Sequence, residues 1–188
     1  MKIKIEQNMK GKNLLLLGII YLSCLVNSYS QDNSLTPFEG TYEGTLKIYQ
    51  GAKIAHSLPM SLKILPVDST TWTFHITYHR EGKEDFRPYD IRLINAEKGH
   101  YVIDEHNGIL LDSYLNGNCL YEQFAIDNSG IIGTTCFLAD NQLSYELIPI
   151  DMEPTRISGD TIINGDTIPA VRSYQVYSTQ KALLKRVD

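Results

Sequence analysis

The chain has 188 residues, of which 43% are hydrophobic and 21% charged, and its formal net charge is −5. An acidic balance repels phosphate backbones and anionic lipid, which argues against nucleic-acid binding. The length suits one ordinary domain that buries its own core.

The first thirty residues read as a signal peptide. Lys2, Lys4, Lys10 and Lys12 form a basic start, Leu14 to Val26 is an apolar run, and Ser28-Tyr29-Ser30 offers small residues for cleavage before Gln31. The apolar run falls short of the ~20 residues that span a bilayer. Tyr21-Leu22-Ser23-Cys24 resembles a bacterial lipobox, so a lipoprotein anchored through Cys24 is the alternative to a soluble periplasmic or secreted protein. Removing residues 1–30 takes away four lysines and one glutamate, which moves the net charge from −5 to −8. Residues 31–188 then form the folded domain, and membrane contact is expected only with the lipid anchor.

From there the chain reads as strands. Tyr42, Leu46 and Ile48 alternate with polar residues, as do Leu58, Met60, Leu62 and Ile64. Trp72-Thr73-Phe74-His75-Ile76-Thr77-Tyr78 does so without a break. This period of two predicts half-buried strands. About ten are expected, over 41–49, 56–65, 70–79, 87–95, 99–106, 109–115, 119–126, 131–138, 142–150 and 170–177. Short turns between them describe an all-β, antiparallel meander, hence a single β-barrel, with a β-sandwich as the alternative.

Turn chemistry sets the registers of the second half. Asn107-Gly108 and Asn116-Gly117 each predict a two-residue type I′ hairpin. The first puts Tyr101 opposite Tyr114 and Ile103 opposite Asp112, and the second puts Asp112 against Tyr121. Continued through Asp127–Gly130 and Asp140-Asn141, one face carries Tyr101, Asp112, Tyr114, Tyr121, Gln123 and Tyr145. The other face would place Asp104, Glu122 and Glu146 in one row, and burying unpaired charges is costly. The tyrosine-rich face is therefore expected inside, and the other is apolar enough to need a cover. Tyr101, Asp112, Tyr114, Tyr121, Gln123 and Tyr145 become the candidate ligand-binding residues, suited to a small apolar or amphipathic ligand that needs a few oriented hydrogen bonds.

Cys119 and Cys136 are the cysteines left after cleavage. In one even-loop register they stand directly opposite, where a disulfide is feasible. In the other they are offset by ~7–8 Å, and a three-residue loop would place them on opposite faces.

Gly40-Thr41-Tyr42-Glu43-Gly44 resembles the glycine–any–aromatic opening of the lipocalin-like (calycin) barrels. The resemblance implies a meander barrel enclosing a ligand cavity and a small-molecule carrier function. It also implies an arginine from near the chain end stacked on Tyr42, with Arg172 as the expected partner.

His75 and His79 share a strand face, but four residues of strand separate them by ~13 Å, too far to hold one metal ion. His100, Asp104 and His106 fail for the same reason. Gly-Asp-Thr-Ile occurs at 159 and again at 165, and a surface hairpin is expected there. Ser178 to Arg186 is expected as a short basic helix. No enzyme motif, metal site or cofactor loop is present in the sequence, and no nucleophile–base–orienter trio can be nominated. An exported small-molecule binder is the first expectation. An envelope interaction protein with a solid barrel and a partner-binding outer face, free to oligomerise, is the second.

Overall fold

The computed structural model describes residues 34–188. The expected signal peptide and Cys24 lie outside the described residues. Alternation becomes strand almost everywhere it was read. The barrel strands are β1 (Gly40–Gln50), β2 (Lys53–Ile64), β3 (Thr71–Arg80), β4 (Lys83–Asn95), β5 (His100–Asp104), β6 (Leu110–Asn116), β7 (Cys119–Ile126), β8 (Ser129–Leu138) and β9 (Gln142–Ser158). Then come β10 (Thr161–Ile163), β11 (Asp166–Ile168), β12 (Val171–Val176) and β13 (Thr179–Arg186).

Strands β1 to β9 pair in sequence, and β13 inserts between β9 and β1. Among the described residues the result is a closed, all-antiparallel barrel of ten strands, with no open edge around the ring. The tenth strand is β13, not the 170–177 segment. The expected terminal helix is corrected for a simple reason: Ala182 and Leu184 are both buried while their neighbours are exposed, a period of two.

β9 outlasts the barrel. Its first residues pair with β8 and β13, and its far end runs past β8 to pair with β12. β10 and β11 make the expected hairpin at the tip of this arm. Its turn, Asn164-Gly165, has φ of 52° and 89°, the doubly left-handed arrangement of a type I′ turn.

The barrel is sealed at the end where β1 begins. A short 3-10 turn, Thr36–Phe38, lies across it and buries Leu35 and Phe38. Phe38 packs against Phe137, with ring centroids 6.1 Å apart. Glu39 fastens the seal: its carboxylate accepts from Trp72 Nε1 at 2.9 Å and its carbonyl from the Tyr42 hydroxyl at 3.3 Å. Above the seal, Tyr42, Leu62, Ile64, Trp72, Ile91, Tyr101, Leu120, Leu143 and Leu184 form an apolar core. Tyr42 sits across the ladder from Arg186, so the expected partnership with Arg172 is corrected. Arg172 lies out on the arm, opposite Ile157.

Cys119 and Cys136 stand directly opposite on β7 and β8 and form a disulfide. The enabling turn is the two-residue loop Asp127-Asn128, which leaves Ile126 opposite Ser129. A disulfide fits an oxidising compartment outside the cytoplasm.

Candidate functional site

Two loops decide what the barrel interior contains. Between β5 and β6 the ladder runs to Asp104 opposite Leu110, and Glu105 N–H donates to the Ile109 carbonyl at 3.2 Å. Three residues therefore turn the chain, not two. The Asp104 carboxylate accepts from the His106 amide at 2.9 Å, and the Asn107 side-chain oxygen accepts from the Ile109 amide at 2.9 Å. These side-chain bonds stabilise a turn with His106 and Gly108 at positive φ, in place of the Asn107-Gly108 type I′ turn. One extra residue inverts the facing of everything after it. The next turn is Gly117-Asn118, two residues long, and preserves the inverted facing. The loop Ala139–Asn141 again has three residues, between paired Leu138 and Gln142, and restores the original facing from β9 onward.

Strands β6, β7 and β8 consequently turn the expected inner face outward. Tyr101 and Tyr145 point into the barrel and are buried, as expected. Tyr114 and Tyr121 are 42% and 43% exposed, and Asp112 and Gln123 lie on the same outer face. The four are still brought together, with Ile132, Ile150 and Met152, around an open groove of about 700 Å³ that Glu122, Phe124 and Ile131 of the same strands also line. Tyr114 and Tyr121 are cross-strand partners. His100 stacks on Tyr114 at 4.8 Å and lies 2.6 Å from the Asp112 carboxylate. On β6 to β8 the apolar face expected to need a cover faces the core instead.

The interior instead receives Leu111, Ser113 and Leu115 from β6, Leu120, Glu122 and Phe124 from β7, and Ile131, Gly133 and Thr135 from β8. Glu122 is the informative member. It is buried, and among the described residues it accepts a hydrogen bond from the Ser113 hydroxyl at 3.5 Å. Gly133 faces it across the ladder and leaves the space the carboxylate occupies. Desolvation pushes the Glu122 carboxyl up to about 7, and the Ser113 contact opposes this only in part.

Two tyrosines cross the interior beside it. The Tyr78 and Tyr145 hydroxyls meet at 3.3 Å, one from β3 and one from β9. Burial raises both above the ordinary tyrosine value, and for Tyr145 the nearby Tyr78 and Glu122 add to the rise. This pair separates the apolar core near the seal from a more polar half. In that half the inward-facing Tyr89, Leu111, Phe124, Ile131 and Leu147 are only partly covered. Arg87 sits 5.8 Å over the Tyr78 ring and donates to the Tyr89 hydroxyl at 3.2 Å and to Asp85 at 3.1 Å.

The same end has a gap in its wall. At this end the ladder between β2 and β3 stops at Met60, opposite Tyr78. Pro59, which has no amide hydrogen to donate, marks the point where the two strands part. A recess of about 650 Å³ opens there between Leu58 and Pro59 on one side and His79 and Arg80 on the other.

Sequence reasoning missed Glu122, Ser113 and Tyr89. The unbroken alternation of Trp72 to Tyr78 already placed Tyr78 with the core. For Glu122 the signal was present and misread, because the row of charges used to reject its face does not exist. Asp104 and Glu146 point outward, to Arg92 and Lys181, and only Glu122 points in.

Among known proteins, no family model matches this chain and no curated protein matches it in sequence.

Proposed function

We propose that this chain is an exported binding protein whose barrel takes a small, partly apolar ligand through its open end. The observation that carries the reading is the asymmetry of the interior. One end is sealed by mostly apolar side chains, while the other presents partly covered apolar walls around a few polar groups, Glu122, Ser113, Tyr78, Tyr89 and Tyr145. Concave apolar walls with a few fixed polar groups are what small-molecule sites are made of. The parting of β2 and β3 supplies a way in. The resemblance to lipocalin-like barrels supports the same reading, with Arg186 rather than Arg172 against Tyr42. The basic and apolar start of the chain, together with the disulfide, supports export, either as a soluble protein or anchored through Cys24.

Organic-solvent extraction of the purified protein followed by mass spectrometry tests the proposal. A reproducible small molecule at near-stoichiometric amount is expected. An empty extract, with no binding of apolar probes, refutes it. Intact mass of the exported protein distinguishes cleavage before Gln31 from acylation at Cys24.

One observation favours a second reading, an interaction protein of the envelope. The arm exposes Ile157, Ile162, Ile163, Val171 and Val176, and β12 has a neighbour on one edge alone among the described residues. Exposed apolar strands with free edges are sites of association. A stable oligomer on size-exclusion chromatography that dissociates when the arm's isoleucines are replaced by serine is the expected result under that reading.

A further inference from the structure

Glu122 is a buried carboxyl without a counter-charge. Among the described residues no lysine, arginine or histidine forms an ion pair with it, and no basic group contributes to its electrostatics. The groups that face it are Ser113 from β6, the bare Gly133 and Leu147 from β8 and β9, and Tyr145, whose hydroxyl is itself bonded to Tyr78 of β3. Arg87 of β4, the inward-facing cation of this half, is held by Asp85 and Tyr89. A carboxylate buried with one hydroxyl bond and no counter-charge costs folding free energy. The three acceptors it could share with a guest, its own two oxygens and the Ser113 hydroxyl, are matched by the three N–H donors of a primary ammonium. Leu111, Phe124, Ile131 and Leu147, which face inward on the same strands and are only partly covered, suit an alkyl chain.

We infer that the ligand of this barrel is an amphipathic organic cation, an alkyl chain whose protonated amine bonds to Glu122. The inference rests on the barrel being the ligand site. The chain's net negative charge favours approach of such a ligand over an anionic one. Burial holds the Glu122 carboxyl near neutrality, at about 7, so the acceptor is lost as pH falls below that value and the cation is released.

Calorimetric titration of the exported chain with decylammonium, 1-decanol and decanoate tests this. Decylammonium is expected to bind about tenfold more tightly than 1-decanol at about pH 8, with the preference shrinking by about pH 6. Glu122→Gln should abolish the preference and keep 1-decanol binding. Equal binding of amine and alcohol, tighter binding of decanoate, or a preference that survives in Glu122→Gln overturns the amine assignment and leaves the barrel site standing. Failure of all three probes to bind, together with an empty solvent extract, overturns the barrel site itself. Should Glu122→Gln not fold, the change in preference between the two pH values in the wild-type chain decides, since adsorption of a cation to surface carboxylates does not weaken across neutrality.

Discussion

Gly133 stands directly across the ladder from Glu122, and a Cβ built on it would lie 2.5 Å from the Glu122 carboxylate oxygen. The absence of a side chain at 133 and the presence of a long one at 122 are one feature. Gly133→Ala is expected to cost about 1–3 kcal/mol by overpacking. A double variant that also carries Glu122→Ala should recover part of that loss, a coupling that urea unfolding of the four-member cycle measures. Additive losses would mean the two positions do not share this space.

The same carboxyl sets a pH dependence. Its folded value is raised from 4.5 to about 7, so the folded state holds the proton more tightly than the unfolded chain. Its contribution is most favourable below about 4.5 and is lost as pH rises to about 7, amounting to about 3 kcal/mol in order of magnitude. Glu122→Gln should therefore flatten the decline in stability between these values. Denaturant unfolding at a series of pH values checks it, and a wild-type stability that rises through the same window from this group would contradict it.

The disulfide should add about 2–4 kcal/mol by restricting the unfolded chain. Paired Cys119→Ser and Cys136→Ser substitutions are expected to lower stability by that amount while retaining the far-ultraviolet β spectrum. Thiol titration of the denatured, exported protein should find neither cysteine free.

Phe38→Ala removes the plug's largest buried side chain and is expected to cost about 3–4 kcal/mol. Because Trp72 is bonded to Glu39 beside that plug, its fluorescence should shift to the red as water gains access. An unchanged emission maximum would separate the plug from the core.

The facing of β6 and β7 is open to a direct comparison. Tyr114→Ala and Tyr121→Ala, on the outer face, should each cost under about 1 kcal/mol, whereas Leu120→Ala, fully buried beside Tyr121, should cost about 2–5 kcal/mol. The reverse ranking would restore the tyrosine-lined interior.

Much of this architecture was legible from local chemistry. Period-two alternation located the strands because an open pleat gives no other cheap way to bury Trp72, Phe74, Ile76 and Tyr78 on one side. Turn residues located the loops. What they did not reveal was loop length, since Asn107-Gly108 is equally at home in a two-residue and a three-residue hairpin, and the choice was made by the Asp104 and Asn107 side chains. Counting charged residues by row then favoured the wrong face, because a single buried glutamate is tolerated where three would not be. Of the three Asn-Gly pairs, the type I′ turn forms at 164–165. The C-terminal strand was hidden by Lys181, Lys185 and Arg186, whose charges face solvent and mask the buried Ala182 and Leu184 between them.

The two three-residue loops act on side-chain direction as a pair of compensating frameshifts acts on a message. His106 to Gly108 inverts the reading of three strands, and Ala139 to Asn141 sets it right for β9. Loss or gain of one residue in either loop therefore cannot remain a local event. It would present Tyr114, Tyr121 and Gln123 to the core, or Tyr145 and Leu143 to water, so the length of these surface loops bears on the whole barrel interior.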